Sequence, residues 1–168
     1  TLQILLIAPH RLNKQTRPEW FFQKQQYGGI LTDIGSHQFE QFLAFSQATD
    51  AKVNYARVEN FRNPEYPELE DFGEASLTGN DGTSLYCRID WFTPDGLRCW
   101  GDGRCFILGT DGFIEIRKYI DVARDATGER IFLVNHQGEQ ELAVAGKVGF
   151  PFFGRLILDV LHRTEDAM

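Results

Sequence analysis

The sequence predicts an α+β fold: an open, mostly antiparallel sheet built from hairpins, with helices on one face. Three observations carry this. Segments of period two flank three turn signals, NDG at 80–82, TDG at 110–112 and HQG at 136–138. Two segments of helical spacing, 28–47 and 151–168, stand outside that run of hairpins. Between 72 and 145 no strand alternates with a helix, so parallel βαβ order is not expected.

Each element has its own warrant. "LQILLIA" at 2–8 is rich in Ile and Leu and ends at Pro9, which marks a buried strand. Residues 10–27 form a long polar connection with a short helix around 18–25. The next helix is expected at about 29–46, behind Gly28 and Gly29. On a 100° wheel Ile30, Leu31, Ile34, Phe39, Phe42, Leu43 and Phe45 make a broad apolar arc, while Asp33, His37 and Glu40 gather opposite. Leu31, Phe39, Phe42 and Leu43 are the predicted packing face. "KVNYARVEN" at 52–60 is a strand, and the acidic, proline-bearing stretch 62–73 an exposed loop. Along 85–92, Leu85, Cys87, Ile89 and Trp91 alternate with Tyr86, Arg88, Asp90 and Phe92. The second set is polar with aromatics, as a surface that docks another protomer would be. "GDGRC" at 101–105 lies between strands and reads as a tight turn or bulge.

Composition narrows the function. A chain of 168 residues suffices for one domain spanning 1–168. Its net charge of -7 argues against a nucleic-acid partner, and its apolar runs are too short to cross a membrane. Three cysteines without a CxxC pair favour free thiols and a cytoplasmic location. No GxGxxG, Walker loop, GxSxG or HExxH occurs, so the chain by itself is not expected to bind a nucleotide. Both ends fall close to or within an element, which suggests part of a longer protein.

Asp33 and His37, at i and i+4, share one helix face behind two glycines. An acid beside an imidazole suits proton transfer, because an imidazole changes charge near neutral pH. The same pair also fits a surface ion pair. Joined by Glu40 and His10 it fits a metal site, though a nonspecific one. A non-catalytic oligomerisation or scaffold domain is the other alternative.

The stretch "GGILTDIGSHQFEQFL" resembles the GGGxLxDxGxH signature that opens the C-terminal domain of the glucose–fructose oxidoreductase, inositol dehydrogenase and MocA (Gfo/Idh/MocA) family. "PHRL", "RPEWFF", "ILGTDGFIEIRKY" and "FGRLILDVLHRTEDAM" are similar to further parts of that domain, so the resemblance covers nearly the whole chain; Tyr27 departs from it, standing where a first glycine is common. The resemblance implies a substrate-binding and dimerising C-terminal domain. Its partner would be an N-terminal Rossmann domain, absent from this chain, that binds NAD or NADP and carries an E-K-P lysine. The implied reaction is hydride transfer on a sugar or polyol, with a homodimer formed through the free sheet face. Asp33 and His37 match the family's catalytic aspartate and histidine. Because such substrates carry many hydroxyls, His10, Arg17 and Trp20 are the expected substrate contacts. For His10 a plain strand terminus, and for Trp20 a core or interface role, are equally open.

Overall fold

A computed structural model describes residues 2–149 and 151–165. Eight strands form one sheet: β1 (Gln3–Pro9), β2 (Ala51–Glu59), β3 (Phe72–Gly79), β4 (Ser84–Asp90), β5 (Arg104–Leu108), β6 (Gly112–Arg117), β7 (Arg130–Asn135) and β8 (Gly138–Ala143). Their order is β2-β3-β4-β1-β5-β6-β7-β8. Only β1 and β4 run parallel, from Gln3 opposite Ser84 to Pro9 opposite Asp90; all other neighbours are antiparallel. The three turn signals close the β3–β4, β5–β6 and β7–β8 hairpins as their chemistry demands.

The helices are α1 (Lys24–Tyr27), α2 (Ile30–Asp33), α3 (Gly35–Phe45) and α4 (Pro151–His162). The short helix expected around 18–25 is a 3-10 turn, Glu19–Phe22, followed by α1. The helix expected at 29–46 is broken at Ile34, which joins α2 to α3. Its buried residues are Ile30, Ile34, Gln38 and Phe42, one every four, with Gly35 beside them against Ile89. Leu31 and Phe39 flank this line partly buried, but Leu43 is 45% and Phe45 39% exposed. The predicted arc holds as far as Leu31, Phe39 and Phe42 and is too wide at Leu43 and Phe45, which lie on the side of the helix turned from the sheet. The last segment of helical spacing ends at His162, with 150 and 166–168 outside the described residues.

The core lies between α2, α3 and the strands β3, β4, β1 and β5, with Ile4, Leu6, Leu85, Cys87, Ile89 and Cys105 almost fully enclosed. Their alternation along each strand leaves the other face to polar and aromatic groups. There Glu74 accepts hydrogen bonds from Tyr55 and Tyr86, and Arg117 pairs with Glu115 at 2.9 Å. α2 comes close to β3 because Gly73 lacks a side chain: a Cβ there would stand 2.7 Å from Ile30 Cγ2.

The stretch 62–73 is the exposed loop its prolines and acids suggest only in its first part, where Arg62, Pro64, Glu65, Pro67 and Glu68 are exposed; its second part turns inward. Asn63, Leu69, Glu70 and Asp71 are buried. Asp71 accepts hydrogen bonds from the Phe61 and Arg62 backbone N–H groups and from the Asn63 side chain, each at 2.8 Å. A carboxylate supplied with three donors can leave water, so an acidic loop folds inward here.

Candidate active site

The site is built where β1 ends and α2 gives way to α3. Gly28 has φ +84° and Gly29 has φ +90°, conformations that side chains rarely adopt. A Cβ on Gly29 would lie 2.5 Å from Glu70 Oε2. The close approach these glycines allow is that of a carboxylate from the same chain. Glu70 Oε2 accepts the Ile30 N–H at 3.0 Å, Oε1 pairs with Lys24, and the Glu70 N–H donates to the Tyr27 hydroxyl at 2.8 Å. Tyr27 is buried in this clamp and burial pushes its phenol up to about 12. The α2 N-terminus is therefore capped, and α2 is fixed with Asp33 at its last position.

Asp33 and His37 both point to solvent on the side away from the core. No hydrogen bond or ion pair between described residues joins their side chains; they act on each other through space. Partial burial lifts the Asp33 carboxyl above its ordinary range, against the pull of Arg17, His10 and His37. Arg17 stands over the rings of Phe21, at 4.5 Å, and Trp91, at 5.0 Å.

His10 follows directly on β1. Its backbone is pinned on both sides, its N–H to Asp90 O at 2.7 Å and its carbonyl to the Thr93 N–H at 3.1 Å. Its Nδ1 lies 2.9 Å from Ala8 O, which places the ring proton on that nitrogen when the imidazole is neutral. The ring packs edge-on to Trp91 at 5.4 Å and tilted to Trp100 at 4.6 Å, and Trp100 in turn meets Tyr119 at 4.5 Å. Burial among these rings lowers the imidazole's pKa despite the nearby Asp33 and Asp90. His10 thus both terminates a strand and belongs to the site.

A cleft of about 390 Å³ runs between α3 and this aromatic row, with His10, His37, Glu40, Trp100, Lys118 and Tyr119 among its lining. That volume accommodates a small ligand. A larger cavity of about 500 Å³ lies on the far side of Trp91. It contains none of Asp33, His37 and His10, and its Arg11 and Lys14 are engaged, by the Leu97 carbonyl at 2.6 Å and by Glu65 at 2.5 Å.

The structure brings His10 and His37 into one cleft; Asp33 and Arg17 lie outside its lining and act on His10 electrostatically. Trp20 stands apart, 48% exposed and edge-on to Phe21 at 6.1 Å, outside the cleft lining. Sequence reasoning missed Trp100, Lys118 and Tyr119. The available signal was a tryptophan beside the glycines of the "WGDG" turn. The role of that turn is as read: Gly101 bridges to His10, and a Cβ there would run into Pro9 O. Among the described residues no three His, Cys, Asp or Glu side chains meet as a metal site, so Asp33, His37 and Glu40 remain a helix-face cluster. The cysteines are free thiols; burial raises Cys87 and Cys105 to about 11.

Residues 6–115 match the family model described as the GFO/IDH/MocA C-terminal domain, and the chain belongs to that family. A solved structure from Erwinia carotovora atroseptica SCRI1043, of a protein presumed to be an oxidoreductase, is 52% identical at TM-score 0.93, covering 99% of this chain and 49% of its own. Aldose-aldose oxidoreductase from Caulobacter crescentus, complexed with glycerol, shares the fold at 17% identity and TM-score 0.70, over 97% of this chain and 46% of that one. Levoglucosan dehydrogenase, in complex with NADH and levoglucosan, does so at 15% and 0.62, over 84% and 38%. The chain spans about half or less of these structures. None of the curated proteins compared with it matches. No helix among the described residues is long and apolar enough to cross a membrane.

Proposed function

We propose that this chain is the substrate-binding and dimerisation domain of an NAD(P)-dependent oxidoreductase acting on a sugar, polyol or related hydroxyl or carbonyl substrate. The carrying observation is the cleft itself, whose lining brings together His37, His10 and the partly exposed rings of Trp100 and Tyr119. Hydroxyl-rich substrates need donors and acceptors around the ring and flat apolar surfaces beneath it. The levoglucosan bound in one related solved structure and the glycerol bound in another are in keeping with this reading.

Among the described residues, the two places a dinucleotide would be sought are filled from within the chain. The α2 N-terminus, where a pyrophosphate would lie, is occupied by the Glu70 carboxylate, and Gly101 in the GDGRC turn is backed against Pro9. The cofactor, NAD or NADP, belongs to a Rossmann domain of the full-length protein. This chain's part is confined to substrate and proton. It positions the reacting hydroxyl against His37, whose imidazole takes the hydroxyl proton on oxidation or returns it on reduction. Asp33 lies four residues before His37 on the same exposed side of the helix, within reach of the substrate's neighbouring hydroxyls. Dimerisation through the sheet face opposite the helices follows from its tyrosines and paired arginines, residue types that interfaces favour. A cytoplasmic location is in keeping with three free thiols.

Substitution in the full-length protein tests the reading. His37→Ala should lower turnover by roughly 10²–10⁴-fold, and Asp33→Asn should also lower it, with cofactor affinity unchanged in both. Wild-type turnover in His37→Ala would return the pair to a surface role.

A further inference from the structure

We propose that the substrate of this cleft carries a carboxylate group and that Lys118 binds it. The proposal rests on the functional reading above and names its substrate class more closely.

Lys118 directly follows β6 and lines the same cleft as His37. It is half-buried, with its aliphatic stem over Gly103, where a Cβ would stand 3.5 Å from Lys118 Cδ and 2.8 Å from Tyr119 Cε2. The ammonium donates one hydrogen bond, to Gln41 Oε1 on α3, while Gln41 Nε2 donates to the His37 carbonyl at 2.7 Å. A neutral amide is thus the partner, and two of the three ammonium protons have no hydrogen-bond partner among the described residues.

The contrast with neighbouring cations is what needs explaining. Arg104 pairs with Asp102 at 2.8 Å, Arg117 with Glu115 at 2.9 Å, and Arg130 with Asp125 and Glu141, each at 2.8 Å. Among the described residues Lys118 makes no ion pair, although Glu40 lines the same cleft. Burial, with no carboxylate near enough to oppose it, holds the ammonium below the ordinary lysine range. A partly buried cation without a counter-ion is costly, and a bolt between β6 and α3 would need only an uncharged donor. One uncompensated positive charge with two free donors matches a group of one negative charge with two acceptor oxygens. A phosphate ester, with up to two charges, would leave charge over.

The test uses the full-length protein with matched pairs: D-gluconate against D-glucitol, and D-glucuronate against D-glucose, with D-glucose 6-phosphate as a phosphate arm. Steady-state kinetics and saturation-transfer NMR report turnover and binding. The wild type should prefer the acid of a pair. Lys118→Met should reduce the acid-to-neutral ratio of kcat/KM by about ten- to a hundredfold, and Lys118→Arg should retain it. Equal or better use of the neutral partner, an undiminished ratio in Lys118→Met, or preference for the phosphate overturns the proposal. If the neutral sugar is then oxidised in a manner that depends on His37, the functional reading still stands. If no member of any pair binds or turns over, that reading fails and this one with it.

Discussion

Removing the Glu70 carboxylate should release the helix that carries the site. In Glu70→Ala the charge-assisted bond from the Ile30 N–H is lost, and Ile30 is fully buried. A hydrogen bond to a charged group contributes about 1.5–3 kcal/mol, and an orphaned buried donor costs about 1–3 kcal/mol; the two overlap, so about 3 kcal/mol is expected. The ion pair with Lys24 adds little, because the lysine is more than half exposed. For a chain of this size that loss lowers the melting temperature by about 6–12 °C. Glu70→Gln keeps an acceptor at the same place and should cost about 1 kcal/mol. Urea unfolding followed by circular dichroism measures both, with an unchanged m value expected since the same surface is exposed. Glu70→Ala within 0.5 kcal/mol of wild type would show that α2 does not depend on this cap. In the full-length protein the same variant should lower turnover, through displacement of Asp33.

Three further outcomes are expected. His10 has a lowered pKa because burial disfavours its cation, so the stability it contributes is fully present above pH 6.5 and lost as pH falls through its folded value; His10→Gln should flatten the stability profile in that window, and an unchanged profile would place the acid sensitivity elsewhere. Calorimetric titration of this chain with NAD or NADP should give no heat of binding, whereas micromolar affinity would contradict the division of labour proposed. Sedimentation should show a dimer, and a monomer at high concentration would count against dimerisation through the open sheet face.

The parts of this molecule legible in its sequence are those set by local chemistry. NDG, TDG and HQG fix three hairpins because each turn depends on a few adjacent residues, and the Leu85–Cys87–Ile89–Trp91 alternation needs only the pleat. What could not be read depends on distant partners. The break at Ile34 and the exposure of Leu43 follow from which side of the helix the sheet meets, and the inward fold of Glu70 and Asp71 from donors supplied by other segments. Asp33 and His37 stood out because four residues separate them. Trp100, Lys118 and Tyr119 did not, because sheet order alone carries them to His10.

That sheet order explains why a cleft forms here. β1 is the first strand in the chain yet occupies the middle of the sheet, between β4 and β5. Its end therefore receives chain from both sides: the Asp90 carbonyl and the Thr93 N–H from the β4 side, and Gly101 from the approach to β5. His10 is held by all three, with Trp91 brought up by one flank and Trp100 by the other. The parallel β1–β4 pair is the departure from antiparallel order that makes this possible, since it sets the ends of both strands at one edge. α2 and α3 pack against β3 and β4 and add Asp33 and His37. A hairpin-built sheet without the central strand would have its turns there and no gap for a substrate. The chemistry of the site thus depends on one non-local strand insertion, and a change that loosens β1 should disturb His10 before it unfolds the hairpins.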